Sequence, residues 1–277
     1  METPVPIDTQ WIIWMAGLLG LLAGGWLAPI VERLPRVLEY EWEHAGDAAA
    51  SQAAASRRPR LWGAGVRCGA CNAAIRGWAR VPVLGWMMRR GRCGACGRTI
   101  SWRRPLLEAL CASLFAVMAW RFGPSPQALC AMGLVAGLLA LAWIDAETGL
   151  LPDVITLPLM WAGLLVNTEH VFAAPAQAIW GAAAGYVFLR VLHHLFQWAT
   201  GRDGMGYGDF KLAAALGAWL GLAALPMVLI VASSAGVAVG MALIAAGRLG
   251  RHQPQPFGPY LALAGIVALI VAGASAA

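Results

Sequence analysis

The stretch Gly204-Met205-Gly206-Tyr207-Gly208-Asp209-Phe210-Lys211 sets three glycines at alternate positions and then delivers one carboxylate to an apolar run, Leu212–Leu225. Glycine allows φ > 0 and close approach of other chain. Apolar segments long enough to lie in lipid flank this stretch on both sides, and an ionisable residue at the edge of such a segment is a functional-site candidate. Asp209 also suits a helix N-terminus as a cap, and one residue can serve both purposes.

Working outward, the 277-residue chain is 60% hydrophobic and 12% charged, with 14 Trp against 4 Tyr. A soluble domain averages about 45–50% apolar and about 25% charged residues. The composition therefore implies an all-α polytopic membrane protein in contact with lipid. Apolar segments at 11–31, 105–120, 127–144, 154–168, 175–198, 210–225, 226–247 and 257–276 give about eight transmembrane helices. The expected organisation is a first helix over 1–31, a basic insert over 32–104 and a seven-helix body over 105–277. The first segment reads as an uncleaved span, since residues 1–10 hold no Lys or Arg to make a signal peptide's basic start.

The charge is unevenly spread. Between Glu32 and Arg104 lie 14 of the 20 Lys/Arg and 5 of the 14 Asp/Glu. With the insert in the cytoplasm, eight spans put Arg202, Lys211, Arg248 and Arg251 on the cytoplasmic side and leave Arg121 outside, as the positive-inside rule requires. The basic charge is thus accounted for by topology, and no nucleic-acid partner is expected.

Within the insert, Cys68-Gly69-Ala70-Cys71 and Cys93-Gly94-Ala95-Cys96 are separated by 21 residues. Two such knuckles offer four sulfurs to a tetrahedral Zn²⁺. The alternative is a pair of disulfides or redox dithiols, which a reducing cytoplasm disfavours. A small zinc-ribbon-like insert with a structural metal held by Cys68, Cys71, Cys93 and Cys96 is the expectation. Cys111 and Cys130 sit in apolar spans and read as core residues.

A second carboxylate closes the third span in Trp143-Ile144-Asp145-Ala146-Glu147-Thr148-Gly149-Leu150-Leu151-Pro152-Asp153. Asp153 reads as the cap of the next helix. Asp145 has no such structural excuse, because a negative charge at a helix C-terminus opposes the dipole. In the eight-span topology Asp145 and Asp209 share one membrane depth. Two carboxyls in a low-dielectric site divide into a base and an acid. Such a pair activates water for attack on an amide and protonates the leaving amine. His193 and His194 are read as interfacial residues at the end of the fifth span.

These residues resemble the type IV prepilin peptidase family over nearly the whole chain. Gly206-Tyr207-Gly208-Asp209-Phe210-Lys211-Leu212 is similar to its G-x-G-D-x-K-L element, and Asp145 with Pro152-Asp153 to its other aspartate motif. The paired cysteines, Arg80-Val81-Pro82-Val83-Leu84-Gly85-Trp86, and Ile100-Ser101-Trp102-Arg103-Arg104-Pro105-Leu106-Leu107-Glu108 match in order. The resemblance implies a bifunctional enzyme of the bacterial inner membrane with its site facing the cytoplasm. Such an enzyme cuts the basic leader of prepilins or pseudopilins after a Gly, then methylates the new N-terminus with S-adenosylmethionine. Carried over, Asp145 and Asp209 are the catalytic pair, with Gly206, Gly208, Lys211, Asp153 and Glu108 in support. Where the family reads close to G-S-F-L-N-V-V, this chain has Gly24-Gly25-Trp26-Leu27-Ala28-Pro29-Ile30. Pro29 is expected to kink or end the first helix, and the missing Asn to weaken methyl transfer. Two other readings are a zinc-ribbon transporter or sensor, and a G-x-G-D peptidase for other membrane proteins. The first suffers from the scarcity of ionisable groups within the spans.

Overall fold

The computed structural model describes residues 7–44, 71, 73, 82–201, 204–248 and 255–272. These residues are helical and contain no strand beyond one isolated bridge, Arg92–Thr99. The chain divides into two compact units, Met1–Pro124 and Ser125–Ala277.

In the first unit α1 (Ile7–Glu43) packs along α3 (Arg103–Phe122), with a short α2 (Leu84–Met88) between them in sequence. Small residues set the closeness of α1 and α3. A Cβ on Gly20 would lie 2.7 Å from the Ala112 Cα, and one on Gly24 would lie 2.7 Å from the Glu108 Cα. Contacts of this kind let helix backbones meet directly where no hydrophobic effect operates between them. Trp11, Trp14, Met15, Leu18 and Leu22 stay exposed, the pattern of a helix that faces lipid.

α1 does not stop at Val31. It runs through Pro29 and Pro35 to Glu43, so the expected end near Pro29 is corrected. Each proline removes one helical hydrogen bond, but Ala28, Val31, Leu34 and Val37 remain buried along one face. That burial maintains the helix, since tertiary packing rather than propensity supplies most helical stability. The division at Pro124–Ser125 groups α3 with α1, whereas the sequence reading placed 105–277 in one body.

The second unit contains α4 (Pro126–Thr148), α5 (Asp153–Val166), α6 (Pro175–Thr200), α7 (Tyr207–Leu220), α8 (Leu225–Ala245) and α9 (Gly258–Ala272), with single 3₁₀ turns at Asn167–Glu169 and Leu222–Ala224. α7 is the central element, and Leu212 through Trp219 are all buried. α6, α5 and α9 pack around it, and α4 packs on α9 and α5. α6 crosses α7 through glycines: a Cβ on Gly217 would collide with the Gly181 carbonyl, and one on Gly185 would lie 2.6 Å from the Ala213 oxygen.

Asn167 ties off the far end of α7. Its Nδ2 donates to the carbonyls of Ala218 (2.8 Å) and Trp219 (2.9 Å), and its Oδ1 accepts from the N–H groups of Phe172 (2.9 Å) and Ala173 (3.0 Å). All four of its hydrogen-bonding positions are used, as burial of an amide demands.

Among the described residues, four helices are long and apolar enough to cross a membrane: Gln10–Glu43, Arg103–Phe122, Pro126–Thr148 and Leu222–Ala245. Gly258–Val271 is apolar but shorter. The protein is a polytopic, helical membrane protein.

Candidate active site

Among the described residues of the second unit, two carboxylates are buried. Asp145 lies in the last turn of α4 and Asp209 in the first turn of α7, each 5% exposed. Asp145 sits where a helix dipole disfavours charge, and the structure supplies a partner. Its Oδ2 accepts the Gly258 N–H at 2.9 Å. That N–H opens α9, so the positive end of one helix faces the acid closing another. Glycine is required there, since a Cβ on Gly258 would lie 2.6 Å from the same oxygen.

Asp209 is the third residue of α7, after Gly206 as N-cap. The Gly206 backbone hydrogen-bonds its carboxylate, a capping arrangement from inside the first turn. Its Oδ1 is buried and has no hydrogen-bond partner among the described residues. Asp145 lies near enough to act electrostatically on Asp209.

The glycines before Asp209 contribute closeness rather than unusual torsions. Gly206 has φ −74°, and neither Gly204 nor Gly208 has positive φ, which corrects half of the expectation. A Cβ on Gly208 would lie 2.6 Å from the Leu151 Cβ, and one on Gly204 would lie 2.6 Å from the Phe196 ring. The loop between α4 and α5 thus reaches the start of α7 because position 208 has no side chain.

Asp153 does not cap α5, which corrects the sequence reading. Pro152 holds the N-cap position with no side-chain bond, and Asp153 is the first helical residue. Both its oxygens lie 2.6 Å from the Lys211 Nζ. A cation two residues beyond Asp209 draws the carboxylate outward.

His193 is corrected as well. α6 continues to Thr200, so His193 is not at a helix end, and it is buried at 4% exposure. Its ring packs against those of Tyr207 and Phe210, with centroids 5.8 and 5.5 Å away. It supports the start of α7.

Glu108 belongs to the first unit, on α3. It is 6% exposed and accepts the Val83 N–H at 2.7 Å. Val83 has φ 56° and ψ −54°, which is costly for a β-branched residue. Glu108 therefore anchors a strained Pro82-Val83 corner.

Of the four knuckle cysteines, Cys68 lies outside the described residues. The sulfurs of Cys71, Cys93 and Cys96 all lie within 4.8 Å of one another. Cys71 and Cys93 are 3.8 Å apart. A tetrahedral thiolate site with Zn–S about 2.3 Å has S–S edges of about 3.8 Å, so the donor set fits zinc in spacing and chemistry. The second knuckle is shaped by its own backbone, with Cys93 N–H to Arg98 O (2.8 Å) and Gly97 N–H to Cys93 O (2.9 Å).

The sequence reading passed over Gly258 and Asn167. Phe257-Gly258-Pro259 before an apolar run is a recognisable helix start, but nothing local ties it to Asp145, 113 positions earlier.

With this geometry in view, comparison with known proteins is decisive. A family model described as the type IV leader peptidase family matches residues 132–241. The bacterial peptidase A24 N-terminal domain matches residues 18–122. The chain belongs to the type IV leader peptidase family. Both buried aspartates fall inside the leader-peptidase match.

A prepilin leader peptidase/N-methyltransferase of Pseudomonas putida is 42% identical over 269 residues, covering 97% of this chain and 93% of that protein. Proteins of the same description from Stutzerimonas stutzeri (41% over 256 residues; 91% and 88%) and Burkholderia pseudomallei strain 1026b (45% over 255 residues; 91% and 82%) are also similar. No solved structure gives a significant match.

Proposed function

We propose that this protein removes the leader from type IV prepilins or pseudopilins and then N-methylates the exposed terminus. The observation that carries the peptidase half is a pair of buried carboxyls, Asp145 in the last turn of α4 and Asp209 in the first turn of α7, near enough to act on each other electrostatically. One carboxylate takes a proton from water. The resulting hydroxide attacks the scissile carbonyl carbon, and the other carboxyl gives its proton to the amine nitrogen as the C–N bond breaks. Burial supplies the low-dielectric setting in which a shared-proton pair operates.

The methyl group of the second step comes from S-adenosylmethionine as co-substrate. Ala28, in place of the family's Asn, is 2% exposed on an unbroken α1, so this departure leaves the helix intact. Reduced methyl transfer remains our expectation for it, because Ala provides none of the amide's hydrogen bonds.

Each of the eight apolar segments forms one transmembrane span in this reading, with the cysteine-bearing insert and the dyad on the cytoplasmic side of the bacterial inner membrane. The basic insert and the positive-inside rule support that orientation. Zinc bound by Cys68, Cys71, Cys93 and Cys96 folds the insert and leaves no open coordination position. A transporter or sensor is not favoured, since the relatives are described as peptidases.

The test is incubation of the purified protein with a leader-bearing prepilin and S-adenosylmethionine, read by mass spectrometry. We expect a mature fragment starting after the leader's glycine and, more slowly, its form carrying one methyl. An intact substrate would refute the proposal.

A further inference from the structure

We propose that Lys211 and Asp153 are a positioning pair that sets the separation of the Asp145 and Asp209 carboxyls without touching substrate. The inference rests on the dyad reading above.

The path from Asp145 to Asp153 is short and braced. Gly149 closes α4 in a left-handed turn with its N–H on the Asp145 carbonyl (2.8 Å). The chain then passes Leu151 and Pro152 and enters α5 at Asp153. Two points on this path touch the start of α7. Leu151 packs over Gly208, the residue before Asp209, at a distance that leaves no space for a Cβ. Asp153 holds the Lys211 Nζ with both oxygens at 2.6 Å. The contacts bracket Asp209, one residue before it and two after, so they fix the rotation of the first turn of α7 as well as its height.

An ion pair of this kind contributes little to global stability. Its side chains are 29% (Lys211) and 52% (Asp153) exposed, and exposed pairs are typically worth about 0–1 kcal/mol. Geometry is a different matter, because an ångström of misplacement in a catalytic pair costs about 100-fold in rate. Among the described residues, neither Asp145 nor Asp209 has a side-chain hydrogen-bond partner that would hold their spacing alone. Asp145 is held by a backbone N–H on α9, and Asp209 by its own first turn. α5 and α9 also pack on α7, but the contacts beside Asp209 itself, which bear on the first turn of α7, are Leu151–Gly208 and Asp153–Lys211.

The experiment measures leader cleavage by the full chain in detergent for Lys211→Met, Asp153→Asn and the exchanged pair Asp153→Lys/Lys211→Asp, with the thermal midpoint recorded for each. We expect each single variant to lose about 10- to 100-fold in kcat with KM within about twofold, and the exchanged pair to recover at least half of that loss on a logarithmic scale. Midpoints should stay close to that of the parent. Singles with parental kcat would overturn the proposal. So would a loss carried by KM, which would mean substrate contact, or an exchanged pair no better than the worse single. Asp145→Asn, run alongside, separates the two readings. Full cleavage by that variant defeats the dyad itself, whereas its inactivity beside unaffected Lys211 and Asp153 variants defeats only the brace.

Discussion

Gly258→Ala is the substitution that the geometry constrains most tightly. A Cβ there would lie 2.6 Å from Asp145 Oδ2, 3.0 Å from its Cγ and 3.2 Å from its Cβ. Reaching ordinary van der Waals separation requires the carboxyl or the start of α9 to move by about 0.8 Å. The Gly258 N–H bond to Asp145, 2.9 Å long, cannot survive such a shift unaltered. Hydrogen bonds to charged groups contribute about 1.5–3 kcal/mol. Loss of orientation on this scale lowers kcat by about 10- to 100-fold. Alanine is also the better helix former, so the fold should not weaken through propensity. The assay is steady-state leader cleavage in detergent beside a thermal melt. The control is Gly133→Ala on α4, where a Cβ meets nothing within 4 Å. Parental cleavage by Gly258→Ala would refute the placement of α9 against the dyad.

Two further outcomes follow from the packing. Protein purified without chelator should carry about one zinc per chain, and Cys93→Ser should lower that content by elemental analysis. Absence of metal from the parent would end the zinc assignment. Asn167→Ala should lower stability by about 3 kcal/mol or more, since it strips partners from two carbonyls and two N–H groups in one step. A reversible unfolding measurement within about 0.5 kcal/mol of the parent would contradict the account of how α7 ends.

Much of this molecule is legible in its sequence because lipid simplifies the code. Each long apolar segment from Trp11 to the C-terminal region has a helix at its place, and Asp145 and Asp209 stand out because one ends an apolar run and the other begins one. The departures share one physical origin, which is contact between residues far apart in the chain. Pro29 suggested a helix end by local rule, but the buried face of α1 overrides it. Asp153 looked like a cap because the sequence does not reveal Lys211 beside it, 58 positions later. His193 looked interfacial because its partners, Tyr207 and Phe210, lie on another helix. Gly206 and Gly208 suggested flexible torsions, whereas the structure uses the missing side chain of Gly208 to admit Leu151.

The central claim is that Asp145 and Asp209 together perform the hydrolysis. Its most direct test is single-turnover cleavage of a purified prepilin by Asp145→Asn and Asp209→Asn, each verified as folded by its thermal melt. Each asparagine keeps the size of the side chain and removes the acid–base function. The account predicts no detectable mature product from either variant, while a substrate already cleaved is still methylated by both. Near-parental cleavage by either variant would contradict it.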